Sequence, residues 1–391
     1  MAFEEERQGV VEAGRRLVAS GLIARTWGNV SCRIDDHTFA ITPSGRAYET
    51  LEAAEIVLIN LRDLSYQGSI KPSSETRIHG AVYRLKKEIN FVIHTHQPSA
   101  SVISAVASVQ DCVLSLDSDQ DGQPGEEIAF ADYGLPGSKK LADAVERVLT
   151  TSKAKAILMR HHGALCFGRN AEEAFEVATS LEMICEKWIQ GRSPAGKAAA
   201  LEAMGFQTPA LPYFKIQTSE RQSATILFNG GASEDPAAGL ERQIHKAIYG
   251  SRKDIHYILS ADSPEILKAS TRGKALKPLL DDMAQIVGTS LRIAGWDSGD
   301  AAGTIKGILA ALKGRHGVLI SGCGALCCGA TKKDAEAVSL IMEKGCRAAN
   351  ISDLTGPVKG INPLECYLMR VNYLKNYSQK SKAREIKIGT V

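Results

Sequence analysis

The sequence predicts a mixed α/β (α+β) protein built as two tandem copies of one fold. Three observations lead there. Strand-like and helix-like segments interleave through the first half of the chain. A connector rich in Ala, Gly and Pro, residues 191–223, then breaks the pattern. Beyond it the chain repeats its own earlier motifs in the same order. A length of 391 residues fits two domains, since one domain takes ~100–200 residues.

Each element has a local reason. Residues 4–20 carry the apolar spacing of an amphipathic helix. VSCRI, TFAIT and IVLINL follow as short strands. SSETRIHGAVYRLKKE returns to a helical period, and FVIHTH to a strand. PSASVISAVA is a helix opened by Pro98, whose missing N–H is no loss in a first turn. A Gly/Asp-rich loop, DSDQDGQPGEE, precedes the helical SKKLADAVERVLT. AILMRHHGALCFG reads as two strands turning at Gly163. Asn170 caps the long helix that follows by offering its side-chain oxygen to first-turn amides.

The repeat is read by laying ETRIHGAVYRLKKEINFVIHTHQP over ERQIHKAIYGSRKDIHYILSADSP. Without a gap, Glu75 falls on Glu241, His79 on His245, Tyr83 on Tyr249 and Pro98 on Pro264. AILMRHHGALCFG likewise overlies GVLISGCGALCCG. The expected division is a first domain at 1–192, a linker at 193–222 and a second domain at 223–391. The copies differ in one chemical respect. His94 aligns with Ser260, His96 with Asp262 and His162 with Cys323. Apolar positions and turn glycines, which a scaffold needs, survive in both.

Composition excludes several function classes. With 47 basic and 44 acidic residues the net charge is +3, which gives no reason to expect nucleic acid or an anionic membrane as partner. No apolar run approaches the ~18 residues of a membrane span, and MAFEEERQGV lacks a secretory core. Nine scattered cysteines form no disulfide framework. A cytoplasmic protein is expected. Cys323, Cys327 and Cys328 lack zinc-finger spacing and read as small core residues.

In a strand, residues i and i+2 share a face, so His94 and His96 can aim two imidazoles at one point. His162, lost together with them in the second copy, is the best third ligand. His161 is left out because strand alternation would turn it away. An isolated HxH is more often a pair of core histidines; the joint loss of three reverses that reading. Three neutral histidines with an open fourth position suit a catalytic zinc site, and imidazole disfavours magnesium. Nearby, Gly28 and Gly45 allow backbone N–H groups close to an anion. Ser73 and Ser74 stand at a helix start, where free N–H groups favour phosphate, and Asn29 and Ser44 add side-chain donors. Singly, these are ordinary turn residues; together, beside a metal site, they form a candidate anion cradle.

These pieces resemble the class II aldolase/adducin family, typified by fuculose-phosphate aldolase. The likeness rests on TWGNVSCR, ITPSG, KPSSE, HTHQP and RHHGAL, in order and at fitting spacing. It implies α/β/α domains around a mainly antiparallel sheet. It implies Zn2+, or another divalent transition metal, on His94, His96 and His162. It also implies an acid/base at Glu75 and an anion pocket of Gly28, Asn29, Ser44, Gly45, Ser73 and Ser74. The implied function is a lyase that cleaves or rearranges a ketose phosphate, or a related hydroxy-carbonyl compound, through a metal-stabilised enediolate. Epimerase, dehydratase and decarboxylase activities use the same equipment, and adducin-like members are non-catalytic interaction modules. The expected partners are a small anionic sugar phosphate and further copies of the chain as a homo-oligomer. One departure stands out: the aldolases carry a tyrosine in the loop after the HxH helix, and CVLSLDSDQDGQPG has none.

Overall fold

The computed structural model describes residues 3–23, 27–106, 128–192, 219–220 and 236–376. The tyrosine-free loop, Thr26 and nearly all of the expected linker lie outside them. The chain divides into two compact units, Met1–Gly191 and Arg192–Val391.

The first unit runs α1 (Glu4–Ala19), β1 (Gly28–Arg33), β2 (Thr38–Ile41), β3 (Val57–Asn60), α2 (Thr76–Leu85), β4 (Phe91–Thr95) and α3 (Pro98–Val106). It continues with β5 (Ile128–Ala131), α4 (Lys139–Thr151), β6 (Ala156–Met159), β7 (Gly163–Gly168) and α5 (Ala171–Gln190). Its sheet has the order β3-β2-β1-β4-β7-β6-β5. Only β5 and β6 pair in parallel; every other pair is antiparallel. The expected mainly antiparallel sheet is present.

Helices α2 and α4 cover one face of this sheet. Ile78, Val82, Leu141 and Val145 pack there on Phe39, Ile59, Val92 and Leu165. Helices α3 and α5 pack on β4, β6 and β7 through residues outside that cluster. The layering is α/β/α. Side chains alternate along a strand, so His94 shares with Val92 the face that α2 covers. Thr95 and Gln97 turn the other way, and the Gln97 amide donates to the Ala178 carbonyl on α5 (2.8 Å). At the start of α5, Asn170 accepts from the Glu173 amide at 2.9 Å, the cap expected from the sequence.

The second unit contains β8 (Ser219–Glu220), α6 (Pro236–Ser251), β9 (Tyr257–Ala261), α7 (Pro264–Ser270), a π-helical turn at Met283–Val287, β10 (Ile293–Ala294) and α8 (Ala301–Leu312). After them come β11 (Gly317–Ile320), β12 (Gly324–Gly329), α9 (Lys332–Thr355) and α10 (Pro363–Asn376). Its sheet order, β10-β11-β12-β9-β8, matches β5-β6-β7-β4-β1 strand for strand. The one parallel pair, β10 with β11, falls at the same place. The repeat in sequence is therefore a repeat in topology, with no counterpart of β2 and β3 among the described residues of the second unit. Among the described residues no helix is long and apolar enough to cross a membrane.

Candidate metal centre

Strand register builds the centre. In the β1–β4 pairing Asn29 stands opposite His94, and in the β4–β7 pairing His94 stands opposite Leu165. Glycines make the approach possible. A Cβ on Gly28 would lie 2.6 Å from the His94 carbonyl oxygen, and one on Gly163 would lie 2.2 Å from that of Thr95. Only glycine lets the backbones come so close. His162 sits in the turn of residues 160–162 between β6 and β7, just ahead of Gly163.

That turn corrects the reason for setting His161 aside. It is not on a strand, so alternation does not govern it. It adopts φ +60° and lies edge-on to Tyr133, ring centres 5.6 Å apart. Chain reversal therefore occurs before Gly163, which opens β7.

The structure brings His94, His96 and His162 together. One ring nitrogen from each lies within 4.8 Å of the others. Ring centroids are 4.9, 4.8 and 4.6 Å apart for the three pairs. His94 and His162 are buried, while His96 is partly open. Glu75 closes the group, with Oε2 2.9 Å from His94 Nε2 and Oε1 2.9 Å from His162 Nε2. Burial pushes the Glu75 carboxyl up, but the His94 and His162 rings outweigh it and hold it well below the usual range.

The donor set fits a divalent cation. His94 Nδ1–H donates to the Ala164 carbonyl at 2.9 Å, which leaves the lone pair on Nε2. That nitrogen is buried and makes no hydrogen bond, yet it faces a carboxylate oxygen. Two electron-rich atoms so placed call for a proton or a metal ion between them. The Ala164 contact is the kind of outer support that fixes a ligating histidine.

The candidate anion residues fall beside this group. Pro43 and Pro72 form a bridge, Ser44 N donates to Lys71 O (2.9 Å), and Ser73 N donates to Thr42 O (3.1 Å). These contacts hold PSG against PSSE. Gly45 has φ +70°, where a side chain would be strained. The candidate cradle is exposed at Gly45 and Ser74, half-buried at Gly28 and Ser44, and buried at Asn29 and Ser73. Two assignments change in detail. Ser73 and Ser74 precede α2 rather than open it: Glu75 holds the N-cap position, with no side-chain capping bond, and Ser73 Oγ accepts from the Glu75 amide at 3.2 Å. Asn29 already donates to Glu75 Oε2 at 3.3 Å, so only part of its amide is left for an anion.

Sequence reasoning missed His79, Ser31 and Tyr83, which line up behind Asn29. His79 Nε2 meets Asn29 Oδ1, His79 Nδ1 meets Ser31 Oγ at 2.6 Å, and Ser31 Oγ meets the Tyr83 hydroxyl at 2.8 Å. The i, i+4 spacing of Glu75 and His79, one helical face, was the available signal.

The family model for the class II aldolase and adducin N-terminal domain matches residues 8–189 and again 214–350. A 5-deoxy-D-ribulose 1-phosphate aldolase of Bacillus thuringiensis is 31% identical over 194 residues, 49% of this chain and 88% of its own. An L-fuculose phosphate aldolase of Escherichia coli is 30% identical, covering 46% of this chain and 80% of its own. A methylthioribulose-1-phosphate dehydratase of Hahella chejuensis is 28% identical, covering 47% and 93%. The relatives thus correspond to about half of this chain, while the family model finds the domain twice. The chain belongs to the class II aldolase and adducin family, as a tandem repeat whose second copy lacks histidines at the positions of His94, His96 and His162.

Proposed function

We propose that the first unit is a zinc-dependent lyase that cleaves a ketose 1-phosphate to an aldehyde and a three-carbon ketone phosphate. The observation that carries this reading is the convergence of His94, His96 and His162 on Glu75, with His94 already oriented by Ala164. Three imidazoles beside a carboxylate suit zinc or another first-row divalent ion better than magnesium. When bound, the metal supplies Lewis acidity that stabilises negative charge on the substrate's carbonyl oxygen.

The chain's own residues do the rest. Ser44, Gly45, Ser73 and Ser74, with Gly28 and Asn29, receive the phosphate and so fix the distance from the anion to the reacting carbons. In retro-aldol cleavage the departing carbon's hydroxyl loses its proton as the C–C bond breaks. The carbon that keeps the electron pair then gains a proton. Glu75, ionised and buried, is the group placed to hold and return it. The relatives' names support a ketose 1-phosphate of five or six carbons as the substrate class. The second unit, with Ser260, Asp262 and Cys323 at the equivalent positions, is proposed to be non-catalytic.

Dehydration of the same kind of substrate is the second reading, favoured by the dehydratase relative. It starts from proton removal beside the same carbonyl. Incubating the zinc-loaded chain with ribulose, 5-deoxyribulose and fuculose 1-phosphates separates the two. Release of aldehyde with dihydroxyacetone phosphate supports the lyase. A dicarbonyl phosphate formed with loss of water supports the dehydratase. No turnover of any of them contradicts both.

A further inference from the structure

We propose that His79 is a positioning residue for the metal centre: its Nε2–H, acting through the Asn29 amide, holds the Glu75 carboxylate toward the histidine cluster. This rests on the lyase reading above and adds to it a residue that touches neither metal nor substrate.

Hydrogen-bond chemistry gives the chain a direction. A carboxylate only accepts, so the Asn29 group that faces Glu75 must be its NH2. Asn29 Oδ1 therefore faces His79, and His79 Nε2 must carry the proton. His79 is fully buried, and that burial, the largest cause, brings its pKa down to about 3. Neutral with Nε2 protonated, the ring has its lone pair on Nδ1. Ser31 Oγ–H donates to that lone pair, and the Tyr83 hydroxyl donates to Ser31. Each donor has an acceptor, and each link permits only one orientation of the next. Ser31 and Asn29 lie on β1, and His79 and Tyr83 lie on α2. The relay thus pins the head of α2, where Glu75 sits, to the strand that pairs with His94. Without the His79 donor the Asn29 amide is free to rotate, and its oxygen would then repel the carboxylate.

The test uses the full chain, with Co2+ alone as probe and turnover as second readout. His79→Leu removes the donor. His79→Gln places an amide nitrogen where Nε2 stood. His79→Asn places one too short to reach Asn29. The expected result is a loss of Co2+ affinity and of kcat by about 10–100-fold in His79→Leu, with KM changed much less. His79→Gln should regain most of the affinity and His79→Asn little of it. Nitrogen-15 NMR should report the Nε2–H tautomer for His79. Three results overturn the proposal: parental Co2+ affinity in His79→Leu, equal damage in the Gln and Asn variants, or an Nδ1–H tautomer. If His79→Leu fails to fold, the Gln and Asn pair and the tautomer decide. A parent chain that binds no Co2+ overturns the lyase reading and this proposal together. Metal bound by the parent and unchanged in the variants overturns only the role of His79.

Discussion

The two units keep the same scaffold and differ in what they hang on it. Gly163 and Gly324 each press on a neighbouring strand, with a Cβ falling 2.2 Å from Thr95 O in one and 2.5 Å from Ala261 O in the other. Gly168 and Gly329 likewise abut the amides of Ala174 and Ala335. Asn170 and Thr331 cap the following helices in the same way. Where β4 is buried throughout, β9 is half-open at four of its five positions. Buried imidazoles require a closed, hydrogen-bonded setting; Ser260 does not. The comparison separates residues kept for packing, which appear twice, from the three candidate metal-binding histidines, which appear once; Glu75 and His79 also recur, as Glu241 and His245.

Glu75 and Glu241 give the sharpest test of that separation. Glu75→Gln should lower turnover by about 10²–10⁴-fold, the usual worth of a positioned acid/base. Glu241→Gln should leave it at the parental level. Steady-state kinetics on both variants checks the pair, and an equal loss in both would break the distinction.

Acid sensitivity should be shared, because both copies keep the helix histidine. Burial lowers the pKa of His245 to about 4, and that of His79 to about 3. A buried neutral histidine takes up its proton only on unfolding. Its stabilising effect is therefore complete above its unfolded pKa of ~6.5 and fades as pH falls toward the folded value. Urea midpoints should decline from pH 6.5 to 4, with His245 contributing up to about 3 kcal/mol. His245→Leu should flatten that decline for the second unit.

Packing glycines should matter for stability in both copies, and for metal in one. Gly163→Ala and Gly324→Ala should each cost about 1–3 kcal/mol by overpacking. Only the first should also weaken metal binding, because the carbonyl its Cβ would strike belongs to Thr95, between His94 and His96. Thermal melts with and without Zn2+ separate the two effects. The smallest effect is expected at the surface. Arg16 and Glu172 pair with both side chains at least half exposed, so Arg16→Ala should change stability by less than about 1 kcal/mol.

Much of this was legible in the sequence, for identifiable reasons. The HxH pair could be read because strand periodicity is strict, and the repeat because apolar and glycine positions survive in order. The turn at 160–162 could not, since its geometry depends on a left-handed residue. His161 takes φ +60° where its counterpart Gly322 takes φ +71°, so the histidine hides a position that glycine would have announced. The link from His94 Nδ1 to Ala164 comes from register between strands distant in sequence, and the facing of Asn29 toward Glu75 from the packing of α2 on β1. Local patterns carry no information on that register. Ser31 was hidden for the same reason: its partners lie 48 and 52 residues away.

Metal content of the purified chain after dialysis tests the central claim most directly. The parent should retain about one divalent ion per chain, and His94→Ala should retain none at the same fold content by circular dichroism. Cys323→Ala, the matching position of His162 in the second copy, should retain the parental amount. A folded His94→Ala chain that keeps its full equivalent of metal would contradict the account.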